Sequence, residues 1–345
     1  MLELRSPHGA FERIEAYLRE RGFFAPGGEE LEADLYLGYG LSGALRRRTS
    51  PLPPEPCPLP LAAVSVREKG IVLQEHNPPA LGLWQRSWAD SDYAEAVEAV
   101  RDTISRGDVY QVNLVQHLAA PIAGDPAGLA AQLASFGPRT LAGDGWAIVS
   151  ASPELFLARR GRRVWTSPIK GTRPLGEHIH GEKDSAEHVM IVDLERNDLS
   201  RVCEPGSVRW PELMVERELA GVTHLVSTVE GTLREDVGLA ELLAATFPGG
   251  SVTGAPKIAA VDLIAELEPV GRGASMGALG IVRGNGDLEL ALTIRTFAVA
   301  EGKIHLWVGG GIVWDSDPES EIEESWTKAG PLLAAINAPV ETVVR

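Results

Sequence analysis

Hydrophobic and polar positions change period several times along the chain. From Asp90, the segment DSDYAEAVEAVRDTISRGDVYQ sets Tyr93, Val97, Val100 and Ile104 on one helical stripe, with Asp90 as expected N-cap and Gly107 as the stop. Residues 109–118, VYQVNLVQHL, alternate like a strand, and ELFLARRGRRVWTSPI (154–169) predicts a hairpin turning near Gly161. Residues 184–199 and 237–246 read as helices. The stretch 279–313 reads as a strand meander, with Asn285-Gly286 as a two-residue turn because both central residues there need φ > 0. A final helix is expected from Asp317 as N-cap with Pro318 at N1, where a missing N–H costs nothing. Ile322, Trp326, Ala329 and Leu333 would form its apolar stripe. Residues 50–60, SPLPPEPCPLP, are proline-dense and read as an extended connector. This divides the chain into a short N-terminal segment with its connector (1–60) and a larger domain (61–345). Meanders and helices without regular βαβ alternation point to an α+β fold.

Charge narrows the partners. With 32 Lys plus Arg against 48 Asp plus Glu, the net charge is -16. That excess disfavours nucleic acid, whose phosphates need a basic face, and leaves room for a small anion held by local cations or a metal. Two cysteines, Cys57 and Cys203, are too few for a disulfide scaffold and suit a reducing, cytoplasmic setting. No secretory signal is expected at the N-terminus, and no apolar run reaches the ~18 residues of a membrane span. Lysine occurs at six positions only (69, 170, 183, 257, 303 and 328), so each isolated lysine merits separate attention.

Several constellations could carry chemistry. Asp184 and Glu187 are three apart, as are Glu321 and Glu324, so each pair shares a helix face. They are either two solvated faces or hard oxygen ligands converging on one divalent ion, for which Mg²⁺ is the match and zinc is not. Lys170, in SPIKGTRP beside Gly171, is either a surface lysine or a nucleophile whose pKa must be lowered before it attacks. Glu154, in SASPELF, is either a strand-edge acid or a proton donor with a raised pKa. The glycines of VGGGIV (308–313) offer bare N–H groups to a carboxylate or mark a bulge. FPGGSVTGAPK (247–257) fails as a phosphate loop, and VGRGASMG misses the dinucleotide fingerprint. His178 and His180, near Glu182, read as a polar loop rather than a metal pair, and His224 reads as a core histidine. Arg295, in ALTIRTF, is a cation inside an expected central strand, and it needs an anionic partner from the protein or from a substrate.

Taken in order, GDVYQVNL, SASPELF, SPIKGTRP, EHVMIVDLERNDLSRVCEPGSV, HLVSTVEGTL, FPGGSVTGAPK, IRT and GGGIVWDSDPESEIEESWTKA resemble the chorismate-utilising enzymes over roughly residues 85–335. The resemblance implies that family's fold, antiparallel sheets packed with helices around a central active site. PIKGT resembles the aminodeoxychorismate-forming branch, whereas the anthranilate-forming branch, the alternative, looks like PIAGT. Gln111 stands where the isochorismate-forming branch has a water-activating lysine. By this resemblance Lys170 would attack ring C2 of chorismate, Glu154 would protonate the departing C4 hydroxyl, and ammonia would then enter at C4. Glu187 and Glu324 would hold Mg²⁺ most directly, with Asp184 and Glu321 partly through water. Gly309 and Gly311 would lie by the ring carboxylate, Arg295 would hold the enolpyruvyl carboxylate, and His224 would line the ring pocket. Gly171, Thr172 and Lys257 would border the site. The family implies a separate glutamine amidotransferase chain supplying ammonia, and a product on the route to 4-aminobenzoate and folate. The chain is shorter at its N-terminus than the family pattern, in a region some members use to bind tryptophan, and Ser275 stands where many relatives have Tyr.

Overall fold

The computed structural model describes residues 1–68, 76–174, 182–219 and 222–338. The helices are α1 (Ala10–Arg19), α2 (Asp90–Ser105), α3 (Gly128–Gln132), α4 (Glu182–Ser200), α5 (Leu239–Thr246), α6 (Lys257–Leu267) and α7 (Pro318–Ala335). Two antiparallel sheets carry the strands, so the fold is α+β. Among the described residues the first sheet runs Leu2–Leu4, Ala62–Glu68, Leu31–Leu37, Ala278–Arg283, Leu288–Leu292, Leu155–Arg160, Arg163–Ser167, Val222–Thr232 and Ile169–Pro174, with Arg209–Leu219 also pairing to Val222–Thr232. The second runs Gly254–Ala255, Gln111–Ala123, Lys303–Ile312, Thr296–Ala300, Trp146–Ser150 and Arg139–Gly143. N-terminal residues 31–37 thus lie inside the first sheet, paired on one side to Ala62–Glu68 and on the other to Ala278–Arg283.

The expected meander is divided. Ala278–Arg283 and Leu288–Leu292 belong to the first sheet, Thr296–Ala300 and Lys303–Ile312 to the second. Residues 293–295 cross between the sheets, so Arg295 sits in no strand; its φ of 50° belongs to the bend. Residues 151–154 make the same crossing after Trp146–Ser150 and bring Glu154 to the entrance of Leu155–Arg160. The two crossings are tied together, because Ala151 N donates to Arg295 O at 3.0 Å and Leu292 N donates to Glu154 O at 2.9 Å. Sequence periodicity reports which residues alternate, not which sheet they join, and that is why Arg295 looked like a strand residue.

Other local expectations shift for identifiable reasons. The N-cap of α2 is Ala89, whose N–H donates to Asp92 at 3.2 Å, while Asp90 lies in the first turn and pairs with Arg86. The loop after Arg283 is longer than two residues: only Gly286 has positive φ, 89°, and Asn285 instead accepts from Asp287 N at 3.0 Å. Asp317 does cap α7, accepting from Ser320 N at 3.0 Å. The buried stripe of α7, however, is Glu321, Ser325, Ala329, Leu332 and Leu333, with Ile322 and Trp326 only half-buried. Its apolar part packs with Phe297, Leu306 and Val308 of the second sheet and with Trp84. Each such large side chain contributes about 1.5–3 kcal/mol on burial.

Candidate active site

Three structural pieces meet at one place. The strand Ile169–Pro174 carries Lys170, α4 carries Glu187, and the glycine strand Lys303–Ile312 faces α7. Lys170 Nζ donates to Glu187 Oε1 at 2.6 Å, and both side chains are nearly buried. Gln111, 1% exposed, donates through Nε2 to the same Glu187 oxygen. The glycines explain how helix side chains come so close to a strand. A Cβ on Gly311 would stand 1.9 Å from Gln111 Nε2 and 2.7 Å from Glu187 Oε1. A Cβ on Gly310 would stand 3.3 Å from Glu321 Oε2, 3.5 Å from Glu324 Oε1 and 3.4 Å from Lys328 Nζ. Gly309 is equally confined, since its Cβ would meet Leu114 O at 1.9 Å. The glycine strand is therefore a bare wall onto which α4 and α7 direct three carboxylates.

Glu154 approaches from the first sheet. It is 4% exposed, and its Oε1 accepts from Ile169 N at 3.2 Å. Burial raises its carboxyl above the usual carboxylate range, against the opposing pull of Lys170, Ser251, the Ile169 amide and Arg295. That direction suits a proton donor. Lys170 goes the other way. Burial alone would lower its pKa, but the facing Glu187, with Glu154 and Glu195 behind it, outweighs burial and holds the ammonium above its usual value. The pair with Glu187 thus favours the protonated amine, and the lowered lysine pKa that nucleophilic attack requires needs that pair broken. His224, 1% exposed, meets the carbonyl of Gly171 through Nδ1 at 3.2 Å, which places the proton on that nitrogen. Burial, with Arg295 adding to it, lowers its pKa. Arg295 is half-buried and feels Glu154 as its opposing charge.

The chemistry of the donors fits a hard divalent cation: Glu187, Glu321 and Glu324 are all carboxylates, with no thiol or imidazole among them. They do not stand as a closed cage, for no group of three or more His, Cys, Asp or Glu among the described residues is arranged to hold a metal. Ammonium groups occupy two of the carboxylates, Lys170 on Glu187 and Lys328 on Glu324 at 2.7 Å. The side chains of Asp184 and Thr172, and residues 175–181 with His178 and His180, lie outside the described part of the structure.

A family model for chorismate binding enzymes matches residues 56–334. The chain is a chorismate-binding enzyme. It is 44% identical over 268 residues to anthranilate synthase component 1 of Thermus thermophilus, covering 73% of this chain and 58% of that protein. It is 36% identical over 291 residues to aminodeoxychorismate synthase component 1 of Bacillus subtilis, covering 80% of this chain and 62% of that protein. The chain spans less than two thirds of the length of these relatives. The crystal structure of anthranilate synthase component I from Streptococcus pneumoniae superposes with a TM-score of 0.78 at 26% identity, covering 92% of this chain and 84% of that one.

Within this chorismate-binding enzyme, not every expected residue joins the cluster. Lys257, at the start of α6, pairs with Asp198 and donates to Thr246 O at 3.0 Å. Asp198 is eleven residues beyond Glu187 on α4, about 16 Å along the axis, so Lys257 is away from Lys170. It lines an open cleft of about 470 Å³ with Arg47, Arg48, Arg201 and Phe247. That volume lies beside α4, not over Lys170, and the convergent charges rather than the size of the hollow locate the site. Ser275 is fully buried, its hydroxyl 3.4 Å from Thr293 O. Lys328 joins the cluster without having been singled out: it donates to Gly309 O at 2.9 Å as well as pairing with Glu324. Its signal was present as one of six lysines, four residues after Glu324 on an expected helix. His188 was also passed over; it is fully buried beside Glu187, and burial followed by Lys170 pushes its pKa down to about 4. Among the described residues no helix is long and apolar enough to cross a membrane.

Proposed function

We propose that this enzyme aminates chorismate to 4-amino-4-deoxychorismate, using Mg²⁺ and ammonia supplied by a separate amidotransferase chain. The reading is carried by one observation: a buried lysine amine is set between a carboxylate, Glu187, and a second acid, Glu154, whose burial favours its protonated form. Lys170 Nζ would form a bond to ring C2 as the ring double bonds shift and the C4–O bond breaks. Glu154 would give its proton to the departing hydroxyl, which leaves as water. Ammonia would then bond to C4, the electron pair of the C2–N bond would return to Lys170, and the new ammonium would shed a proton. Splitting one substitution into two in this way lowers each barrier. Attack needs the neutral amine, so Lys170 would have to release a proton to solvent as the Lys170–Glu187 pair parts, before the first bond forms. Glu187, Glu321, Glu324 and Asp184 would hold Mg²⁺, which supplies fixed positive charge for the ring carboxylate. Arg295 would bind the enolpyruvyl carboxylate, Gly309 and Gly311 would leave room for the ring carboxylate, and His224 and Gly171 would wall the ring. Thr172 would border the substrate rather than contact the reacting atoms, whereas Lys257, held on Asp198, would stand away from it.

A second reading, anthranilate synthesis with loss of pyruvate, draws support from the 44% identity to the Thermus thermophilus protein. Incubating the protein with chorismate, Mg²⁺ and ammonium salt and weighing the product by mass spectrometry separates the two. The proposal expects 4-amino-4-deoxychorismate; fluorescent anthranilate with released pyruvate as the main product decides for the rival.

A further inference from the structure

The open cleft beside α4 has no part in the chemistry above. Its volume, about 470 Å³, lies within the roughly 300–1,000 Å³ of ordinary small-molecule sites. Three pieces of chain wall it: residues 45–48, the second half of α4, and the end of α5 with the start of α6. Leu194, Phe247 and Ile258 supply apolar surface. The charges that line it do not cancel, because Arg47, Arg48, Arg201 and Lys257 stand against two acids, Asp198 and Asp262. Both acids are engaged already. Asp198 holds Lys257, while Asp262 pairs with Arg46 at 3.5 Å and accepts from the backbone N–H of Arg47 and of Arg48, each at 3.2 Å. Arg48 gives its guanidinium to Glu266 on α6. The guanidiniums of Arg47 and Arg201 are left over: among the described residues neither makes a hydrogen bond or an ion pair, and Arg201 acts on Asp198 only through space. Their backbones are nevertheless fastened, Arg47 N on Asp262 and Arg201 O by Arg234 Nη1 at 2.8 Å. Acids outnumber Lys plus Arg by 48 to 32, and arginines as exposed as Arg163, Arg209 and Arg217 find carboxylates. Two spare guanidiniums lining one partly apolar hollow are therefore not explained by the protein's own charge pairing.

We infer that this cleft is a binding site for an organic dianion, an apolar body carrying two carboxylates or one phosphate monoester. Either chemistry brings two negative charges to two planar donors that match its oxygens in pairs. Arg47 and Arg201 take the charge, and Leu194, Phe247 and Ile258 cover the body. The site is separate from the one on Lys170: Leu194 is seven residues beyond Glu187 on α4, about 10 Å along the axis, and neither Lys170 nor Arg295 lines the cleft. Isothermal titration of the full chain tests it, in Mg²⁺-free buffer at about pH 8, where a phosphate monoester carries nearly two charges. The probes are phthalate and phenyl phosphate. At least one should bind with a Kd below about 1 mM. Phthalate alone identifies a dicarboxylate site, phenyl phosphate alone a phosphate-ester site, and both the shared dianion chemistry. Arg47→Gln with Arg201→Gln should weaken binding by about tenfold or more, the loss expected for charged hydrogen bonds. Ala244→Glu, which keeps both arginines and adds a carboxylate on the α5 wall, should weaken it comparably and decides the matter if the double variant does not fold. Arg295→Gln should leave the affinity unchanged. The site is overturned if neither probe binds, if neutral benzamide binds as tightly as they do, or if the folded double variant or Ala244→Glu keeps wild-type affinity. A loss of binding in Arg295→Gln overturns it as well, because the probes would then sit on the other site.

Discussion

Two buried cation–carboxylate pairs in this protein are built on opposite plans. Arg272, 1% exposed, uses its whole fork: Nε and Nη2 reach Glu268 at 2.8 and 2.7 Å, Nη1 reaches Val252 O at 2.8 Å, and Nη2 reaches Asn113 O at 2.7 Å. Its guanidinium also lies 4.5 Å from the Tyr39 ring centroid, and Glu268 accepts from Val115 N at 3.1 Å. Lys170 has one carboxylate partner among the described residues, a flexible stem and a second acid nearby. A fixed fork with all three nitrogens bonded joins the end of α6 to the second sheet and has little left to offer a ligand. A point charge with spare donors and an acid at its back can be released. Burial alone does not separate structure from chemistry here; the completeness of the hydrogen bonding does.

The contrast can be broken by substitution. Lys170→Ala should cost a thousandfold or more (roughly, as for removal of a covalent nucleophile) in amination of chorismate, with a melting temperature close to that of wild type. Near-wild-type turnover would remove the covalent role. Arg272→Met should do the reverse. It strands a buried carboxylate and should destabilise by about 3–5 kcal/mol in urea unfolding, leaving KM of the folded fraction unchanged. Adding Glu268→Gln should recover part of that loss, and if it recovers none, the pair is not what holds α6.

Glu324→Ala should weaken Mg²⁺ activation by roughly tenfold to a hundredfold, with chorismate binding falling alongside it. An unchanged Mg²⁺ titration would refute the carboxylate site. Gly311→Ala should cost about 1–3 kcal/mol or displace Glu187, because its methyl group would collide with Gln111. Gly310→Ala, whose new atom finds 3.3 Å of room, should cost clearly less; equal losses would mean that the strand, not the carboxylates, is sensitive.

A pH ramp sharpens the same contrast at smaller amplitude. His117 and His305, stacked in the second sheet, are pushed down by burial to about 3 and about 4. The unfolded chain takes up protons below a histidine's usual 6.5 that the folded chain refuses, so stability should decline as pH falls from 6.5 towards 4. A flat melting temperature across that window would contradict neutral, buried histidines.

Much of this was legible in the sequence where one segment acts alone. Asp317 and Pro318 mark the start of α7, Gly161 marks a hairpin turn, and the strings around Glu154, Lys170 and Glu187 resemble their family. What was not legible depends on which surfaces meet. The stripe of α7 was read through Ile322 and Trp326, yet the helix turns Glu321 inward because the strand it faces is glycine. Arg295 appeared to sit in a strand because periodicity cannot register a change of sheet. A nucleophilic Lys170 would need a depressed pKa, but the acids around it come from two separate segments, Glu187 and Glu195 on α4 and Glu154 before the strand Leu155–Arg160, and outweigh its burial.

The crossings at 151–154 and 293–295 have a mechanical meaning. They join the two sheets side by side, with Glu154 at the end of one crossing and Arg295 at the end of the other. Lys170 and His224 ride on the first sheet, while Gln111 and the glycines ride on the second. Any rotation of one sheet against the other therefore re-spaces all of these groups at once, and an ångström of slip is enough to cost on the order of a hundredfold in rate. Substitutions in the packing between the sheets, far from any substrate, should register first as lost turnover.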